Sequence, residues 1–336
     1  MSTGTPMTRT LCFRTGTLLL ALTLCPLLPG TAAAQVIAPG PALQGESCSV
    51  AGLMDSIRHG LKSNSEAYKK YLRTLLRESA VTLPDQELRA AFERETDPVM
   101  AEHLAAAMVA RTERGADPEA IKAVAKRALE EHDPALRSAA VRSMRRTSAL
   151  ESTDGAYEKL VRDASPEVRQ EAATNIVEDI QEVYSGYHGV ASDAAVSAAA
   201  AATDPKVTAK ILGNMDTQMI SAGSAGKIQS LLRSDDAEVR RAAALALGGV
   251  PAEQMANARQ SVLAMYRDEQ DASVRKALLQ SIAQLGFFGA IPELQRLRST
   301  DPSLAPEIDA WIRVLSLDLQ EWNLILREKQ RLQQVP

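Results

Sequence analysis

Few residues of the kinds that do chemistry stand at spacings that would let them act together. The four histidines, His59, His103, His132 and His188, are scattered, and none falls in a metal-ligand pattern such as H-E-x-x-H. Glu102-His103 is a single pair on a helix and reads as surface charge. Gly223-Ser-Ala-Gly-Lys227 has part of the composition of a phosphate loop. Ser221 stands where that loop needs its first glycine, and Ile228 where it needs the hydroxyl that holds magnesium, so a turn opening a helix is expected. No G-x-S-x-G elbow presents a nucleophile. The remaining candidate is the loop Tyr184-Ser-Gly-Tyr-His-Gly189. Its Tyr184, Tyr187 and His188 make an adhesive patch by composition, or else a longer turn with one tyrosine tucked into a groove. These residues predict no catalytic group, no metal and no cofactor, and leave binding as the expected activity.

The elements that would position such a surface are announced by one recurring phrase, Asp-Pro-x-(Val or Leu)-Arg-x-x-Ala. It occurs as Asp133-Pro-Ala-Leu-Arg-Ser-Ala-Ala140, Ser165-Pro-Glu-Val-Arg-Gln-Glu-Ala172, Asp236-Ala-Glu-Val-Arg-Arg-Ala-Ala243 and Asp271-Ala-Ser-Val-Arg-Lys-Ala-Leu278. Looser copies begin at Asp97-Pro98, Asp204-Pro205 and Asp301-Pro302, so the seven starts lie 36, 32, 39, 32, 35 and 30 residues apart. A period in this range marks a solenoid. Asp or Ser caps a helix by accepting bonds from its free amides. Proline fits the first helical position, where an N–H would have no partner anyway. The apolar residues at +3 and +7 then share one face. Each phrase opens the second helix of a hairpin. The first helices are read at Glu119–Leu129, Ala156–Arg162, Ala225–Leu232, Ala258–Tyr266 and Ile291–Leu297, with unit boundaries at Gly248-Gly249 and Gly286-Phe-Phe-Gly289. Aromatics are only 4% of the chain, and the alanine-rich run 194–202 fits closely packed helices. The expected fold is all-α.

From about Leu83 to Leu315 the chain resembles the HEAT repeats, and most closely the short bacterial form named after phycobilisome lyases. Asp236–Gly248 and Asp271–Asp301, with Leu285-Gly-Phe-Phe-Gly-Ala-Ile-Pro-Glu-Leu294, carry the likeness. The resemblance implies a right-handed α-α superhelix of about seven helical-hairpin units. It also implies that the repeated aspartates and arginines (Asp133, Arg137, Arg169, Asp236, Arg240, Asp271 and Arg275) form a structural hydrogen-bonded ladder between units rather than a ligand-binding row. Ala101, Thr208 and Ala305 replace the arginine in three units; the one at Thr208 is central, where stacking is expected to bend or loosen. A lyase or isomerase role, suggested by the family name, finds no site residue to carry it. Since such repeats serve many purposes, the fold alone does not define a task.

Outside the array, residues 49–82 read as N-terminal capping helices, Val50–Leu61 and Ser65–Ser79. At the other end, Ile308, Ile312, Leu315, Leu319, Trp322 and Leu326 recur at 4, 3, 4, 3, 4 spacing. That stripe predicts one long C-terminal helix that carries on from the array to about Leu332, with 316–336 as its end. It either caps the last unit or pairs with a second copy or a partner. Residues 1–34 have the order of a secretory signal peptide: Arg9 and Arg14, the apolar run Leu18–Leu28, then Ala32-Ala33-Ala34 before a cut between Ala34 and Gln35. Met7 is an alternative start that leaves a more compact leader. Cys25 offers a second route, lipidation as an outer-membrane lipoprotein, although Leu24 before it is not small. The expected location is therefore the periplasm or the exterior of a bacterium.

After the cut, 35–48 is a flexible Pro/Gly-rich lead-in and no transmembrane segment remains. The leader takes two arginines and no acids, so the formal charge moves from −4 to −6. Arg142, Arg145 and Arg146 make a local basic patch on the unit opened at Asp133, and the next unit carries Glu171, Glu178, Asp179 and Glu182 at comparable positions. Alternating sign of this kind lacks the continuous basic face that nucleic acid requires. Of three cysteines only Cys48 stays, as an inert thiol or an intermolecular disulfide. The expected partner is a protein of the cell envelope, with self-association through the C-terminal helix as a further route.

Overall fold

The computed structural model describes residues 50–115, 117, 119–147, 149–153, 155–181, 190–215 and 218–334. The leader, the lead-in, Cys25, Ala34, Gln35, Cys48, Tyr184, Tyr187 and His188 lie outside these residues. Gly45–Pro336 is one compact unit, and among its described residues every regular element is helical.

An N-terminal hairpin, α1 (Val50–Gly60) and α2 (Glu66–Thr82), precedes seven further hairpins. These are α3 (Asp85–Arg94) with α4 (Pro98–Glu113), α5 (Ala120–Glu130) with α6 (Pro134–Ser143), and the short α7 (Ala149–Ser152) and α8 (Ala156–Leu160) with α9 (Pro166–Gln181). There follow α10 (Val190–Ala201) with α11 (Pro205–Leu212), α12 (Ala222–Leu231) with α13 (Ala237–Ala246), α14 (Met255–Asp268) with α15 (Ala272–Gly286), and α16 (Ile291–Thr300) with α17 (Ala305–Leu315). The second helices pack in sequence, α2 on α4, then α6, α9, α11, α13, α15 and α17. The first helices form a parallel row in which α8 lies between α5 and α10, and α12 between α10 and α14. This is the solenoid that the period predicts.

The repeated phrase does what its chemistry implies. Asp97 accepts from the amides of Val99 and Met100, Asp133 from Ala135, Asp204 from Lys206, Asp236 from Glu238 and Val239, and Asp271 from Ser273 and Val274. The apolar +3 residues Met100, Leu136, Val168, Val207, Val239 and Val274 are all buried between the two rows. The seventh unit differs. Asp301 makes no side-chain cap, and Pro302–Leu304 forms a 3-10 turn before α17. The central unit does not loosen: Val207, Ile211 and Leu212 of α11 are fully buried, and Thr208 bonds the carbonyl of Ala199. At the next boundary the chain passes very close to itself. Ile220 N–H donates to the Gly249 carbonyl (3.1 Å), and a Cβ on residue 249 would fall 1.7 Å from the Gln218 oxygen, so only glycine fits there.

The C-terminal end corrects the single long helix expected to run through the stripe with its end over 316–336. Helix α17 stops at Leu315, Asp318 takes a left-handed conformation (φ 52°), and α18 (Trp322–Gln334) folds back onto α17. Trp311 and Trp322 stack face to face (5.7 Å, 5°), Phe287 meets the edge of Trp322 at 6.1 Å, and Lys329 lies 4.3 Å over Trp311 while pairing with Glu307 (2.6 Å). The stripe keeps its period across the turn because both helices cover the same apolar end of the array. Deleting Ser316–Pro336 uncovers Trp311, which is 1% exposed, and removes Trp322, Ile325 and Leu326. At about 1.5–3 kcal/mol for each large apolar side chain and about 2–4 °C per kcal/mol, the melting temperature is expected to fall by at least about 10 °C, as measured by circular dichroism. Unchanged melting with loss of an oligomer would support the pairing role instead.

Candidate functional site

The recurring arginines are turned back into the molecule. Arg137 forks onto Asp163 (2.8 and 2.8 Å) and donates to the carbonyls of Glu131 and His132. Arg169 reaches the carbonyls of Asp163 and Ala164 and lies 3.5 Å from Asp204. Arg240 forks onto Glu269 (2.7 and 3.1 Å) and bonds the carbonyls of Ser234 and Asp235. Arg275 pairs with Asp301 (2.7 Å), which also accepts from the Tyr266 hydroxyl. The guanidiniums of Arg137, Arg169 and Arg240 thus tie the turn of their own unit to the next unit, and Arg275 reaches the next unit through Asp301.

The acidic partner is not the one that the resemblance implies for Asp133, Asp236 and Asp271. Those carboxylates are occupied by their own helix amides. In two of the four rungs the partner stands two residues before the cap: Asp163 before Ser165 and Glu269 before Asp271. Glu269 accepts from the amides of Gln270 and Asp271 as well, and Asp163 from Ser165. Its bonds to Arg240 hold the Glu269 carboxyl below its usual range. Glu95 repeats the device, capping Thr96 and Asp97 while Arg58 of α1 grips it (3.3 and 2.8 Å). The readable signal is an acid recurring two positions upstream of the cap, at Glu95, Glu131, Asp163 and Glu269.

Along the second helices the charges join in a chain. Arg142 of α6 bonds Glu102 of α4 (2.9 Å) and lies 3.5 Å from Glu171 of α9. Arg145 pairs with Glu171 (2.8 Å) and Arg146 with Glu178 (3.1 Å). The three-arginine patch is neutralised by the next unit. Asp179, one residue beyond Glu178, points inward instead. It is 4% exposed, accepts from the Thr147 amide (3.2 Å), and its Oδ2 has no hydrogen-bond partner. Burial raises its carboxyl to about 7, against the pull of the Thr147, Leu150 and Arg146 amides. Beside it, Asn175 bonds the buried Tyr157 hydroxyl (3.1 Å).

His103 is half-buried on α4, its imidazole lowered by desolvation. Among the described residues no group of three His, Cys, Asp or Glu could hold a metal ion. The Gly223–Lys227 segment is the start of α12, capped by Ser221 onto the Ser224 amide, with Lys227 bonded to Ser197 (2.6 Å). Among the described residues, the more open features include grooves between first-row helices. One lies between α1 and α3 (Met54, Arg58, Ala91, Glu95; about 290 Å³), one between α3 and α5 (Phe92, Lys126, Arg127, Glu131; about 350 Å³), and one between α12 and α14 (about 620 Å³).

Residues 192–283, from α10 to α15, match the family described as HEAT repeats. That stretch of the stacked hairpins, with its cap-and-arginine turns, is thus built of HEAT repeats. No curated protein matches it. Among solved structures it is similar to YibA of Escherichia coli, at 14% identity over 83% of this chain and 92% of that one (TM-score 0.43). It is also similar to an engineered protein, at 17% over 78% of each chain (TM-score 0.40). A third is a designed armadillo repeat protein in complex with the peptide (KR)4, at 14% over 68% of this chain and 98% of that one (TM-score 0.33).

Proposed function

We propose that this chain is a non-catalytic scaffold that holds a protein partner in the bacterial cell envelope. The observation that carries the reading is the HEAT array itself. Its hairpins bury their apolar faces on one another and leave two long helix rows facing outward, a surface suited to a macromolecule. The basic-apolar-small order of residues 1–34 supports the compartment, and no described helix is long and apolar enough to cross a membrane. Self-association through the C-terminal stripe is the weaker reading, since Trp322, Ile325 and Leu326 pack onto the body of the chain.

Reversible cross-linking in the native host, followed by recovery of the tagged chain, tests the proposal. The expected result is a mature form beginning at Gln35, joined to one envelope protein, while the purified chain alone runs as a monomer by light scattering. A chain that keeps its leader in the cytoplasm, or that cross-links to nothing specific, ends it. Unchanged recovery by a variant with alanine at Tyr184, Tyr187 and His188 excludes that loop as the contact.

A further inference from the structure

The turn that folds α18 back onto α17 is made of residues that have no need to turn. Ser316-Leu-Asp-Leu-Gln-Glu321 contains neither glycine nor proline, and each of its residues is tolerated inside a helix. The reversal comes from placing Asp318 at φ 52°, a left-handed conformation that an L side chain resists. The contacts across the hairpin share one register. Trp311 stacks on Trp322, Glu307 pairs with Lys329 (2.6 Å), and Glu307 also accepts from Gln333 (3.1 Å). All three contacts are centred on the turn, between Ser316 and Gln320. Trp311 and Trp322 stand eleven residues apart and Glu307 and Lys329 twenty-two, close to three and six helical turns. In an unbroken helix from Ala305 to Gln334, both halves of these two contacts would therefore lie on one side. Pro306 sits in the first turn of α17, where it interrupts nothing. Helix α18 is also lightly held, since Ile325 is its one fully buried residue, so it detaches at less cost than the array unfolds.

We propose that α18 is exchanged between two copies of this chain: the turn straightens, residues 305–334 become one helix, and two such helices lie antiparallel. Each α18 then rests on the α17 of the other copy. The pair has a two-fold axis beside Asp318, so Trp311 of each chain meets Trp322 of the other and Glu307 meets Lys329. The contacts of the hairpin are kept, and the left-handed Asp318 is relieved in both chains. The closed form keeps the freedom of a separate monomer, which favours it in dilute solution. Trp322, Ile325 and Leu326 pack onto an array in either form. The exchange is independent of the envelope partner. It joins two arrays at their C-terminal ends, one on each side of the helix pair, and so offers the helix rows twice to whatever they hold.

Two charge variants of the full chain test the exchange. Lys329→Glu and Glu307→Lys each set like charges across the hairpin, whereas a pair made of one copy of each restores opposite charges at both places. The variants are prepared separately, one of them isotope-labelled, then mixed at high concentration and warmed briefly below the melting transition so that α18 opens. Native mass spectrometry is expected to show the mixed dimer in about tenfold excess over either same-variant dimer. Monomers alone, or dimers in random proportion, overturn the exchange. A second pair of variants leaves these contacts in place. Asp318→Gly adopts the left-handed turn freely, and Asp318→Ala favours the helix. Light scattering should therefore give Asp318→Ala a dimerisation constant at least about tenfold above that of Asp318→Gly. Equal constants overturn the exchange, and this comparison decides it even where a charge variant fails to fold. An envelope partner recovered in the host by a chain that does not exchange would leave the scaffold reading standing.

Discussion

Arg240→Ala is expected to cost about 3–5 kcal/mol of stability, the scale seen when one partner of a buried ion pair is removed. The Glu269 side chain is 3% exposed and Arg240 17%, so the loss strands a carboxylate that water reaches poorly. Two further bonds, to the carbonyls of Ser234 and Asp235, go with it. An exposed pair such as Lys126–Glu130 contributes little by comparison. Arg240→Lys should rescue only part of the loss, since an ammonium cannot make the fork onto both carboxylate oxygens and also bond two carbonyls. Arg240→Ala with Glu269→Gln should recover part of it by removing the stranded charge. Urea midpoints for the four proteins decide this; a midpoint for Arg240→Ala within error of the parent would show the rungs to be ornamental.

The second large effect concerns Asp179 and pH. Its folded carboxyl is raised from 3.8 to about 7, so between those values the folded chain holds a proton that the unfolded chain has released. The resulting stabilisation is fully present below about pH 4 and is lost as pH rises through about 7. Three units correspond to at most about 4 kcal/mol. The carboxyls of Asp163 and Glu269 are lowered and act with the opposite sign, losing their contribution as pH falls below about 4. Asp179→Asn isolates the group, because asparagine keeps one acceptor for the Thr147 amide and does not titrate. Its midpoint relative to the parent should improve from pH 5 to pH 7.5. A gap that stays constant over that range would mean Asp179 ionises normally inside the fold.

The repeat was legible because three signals coincide at each unit: a cap, a proline or small residue, and apolar residues one turn apart. Five of the expected aspartate caps cap their helices in the structure, and the first helices lie within a few residues of their predicted places. Asp179 was not legible. In sequence it stands beside Glu178 among acids of an apparently charged face, and a shift of one position around α9 carries it from the surface to the interior. The rung partners Asp163 and Glu269 sit in turns, outside the helical pattern, so no periodicity marks them. The break after Leu315 is invisible in sequence, because a heptad stripe records only which surface is covered, and two helices joined at Asp318 cover it as well as one. The α12/α14 groove depends on how two helices from different units sit beside each other, which no local spacing encodes.

The missing arginine at Thr208 has a mechanical meaning. Guanidinium crossties run without a break from Arg58 to Asp204 and resume from Arg240 to Asp301. Between α11 and α13 no ion pair joins the described residues of the second-helix row, which meet through side-chain packing, with lighter polar stitches such as Asp193 to the Ser221 amide on the other row. The array is therefore two braced girders butted at a plain joint. At that joint the units are held by apolar packing and by the close main-chain approach of Ile220 to Gly249 instead of by a guanidinium.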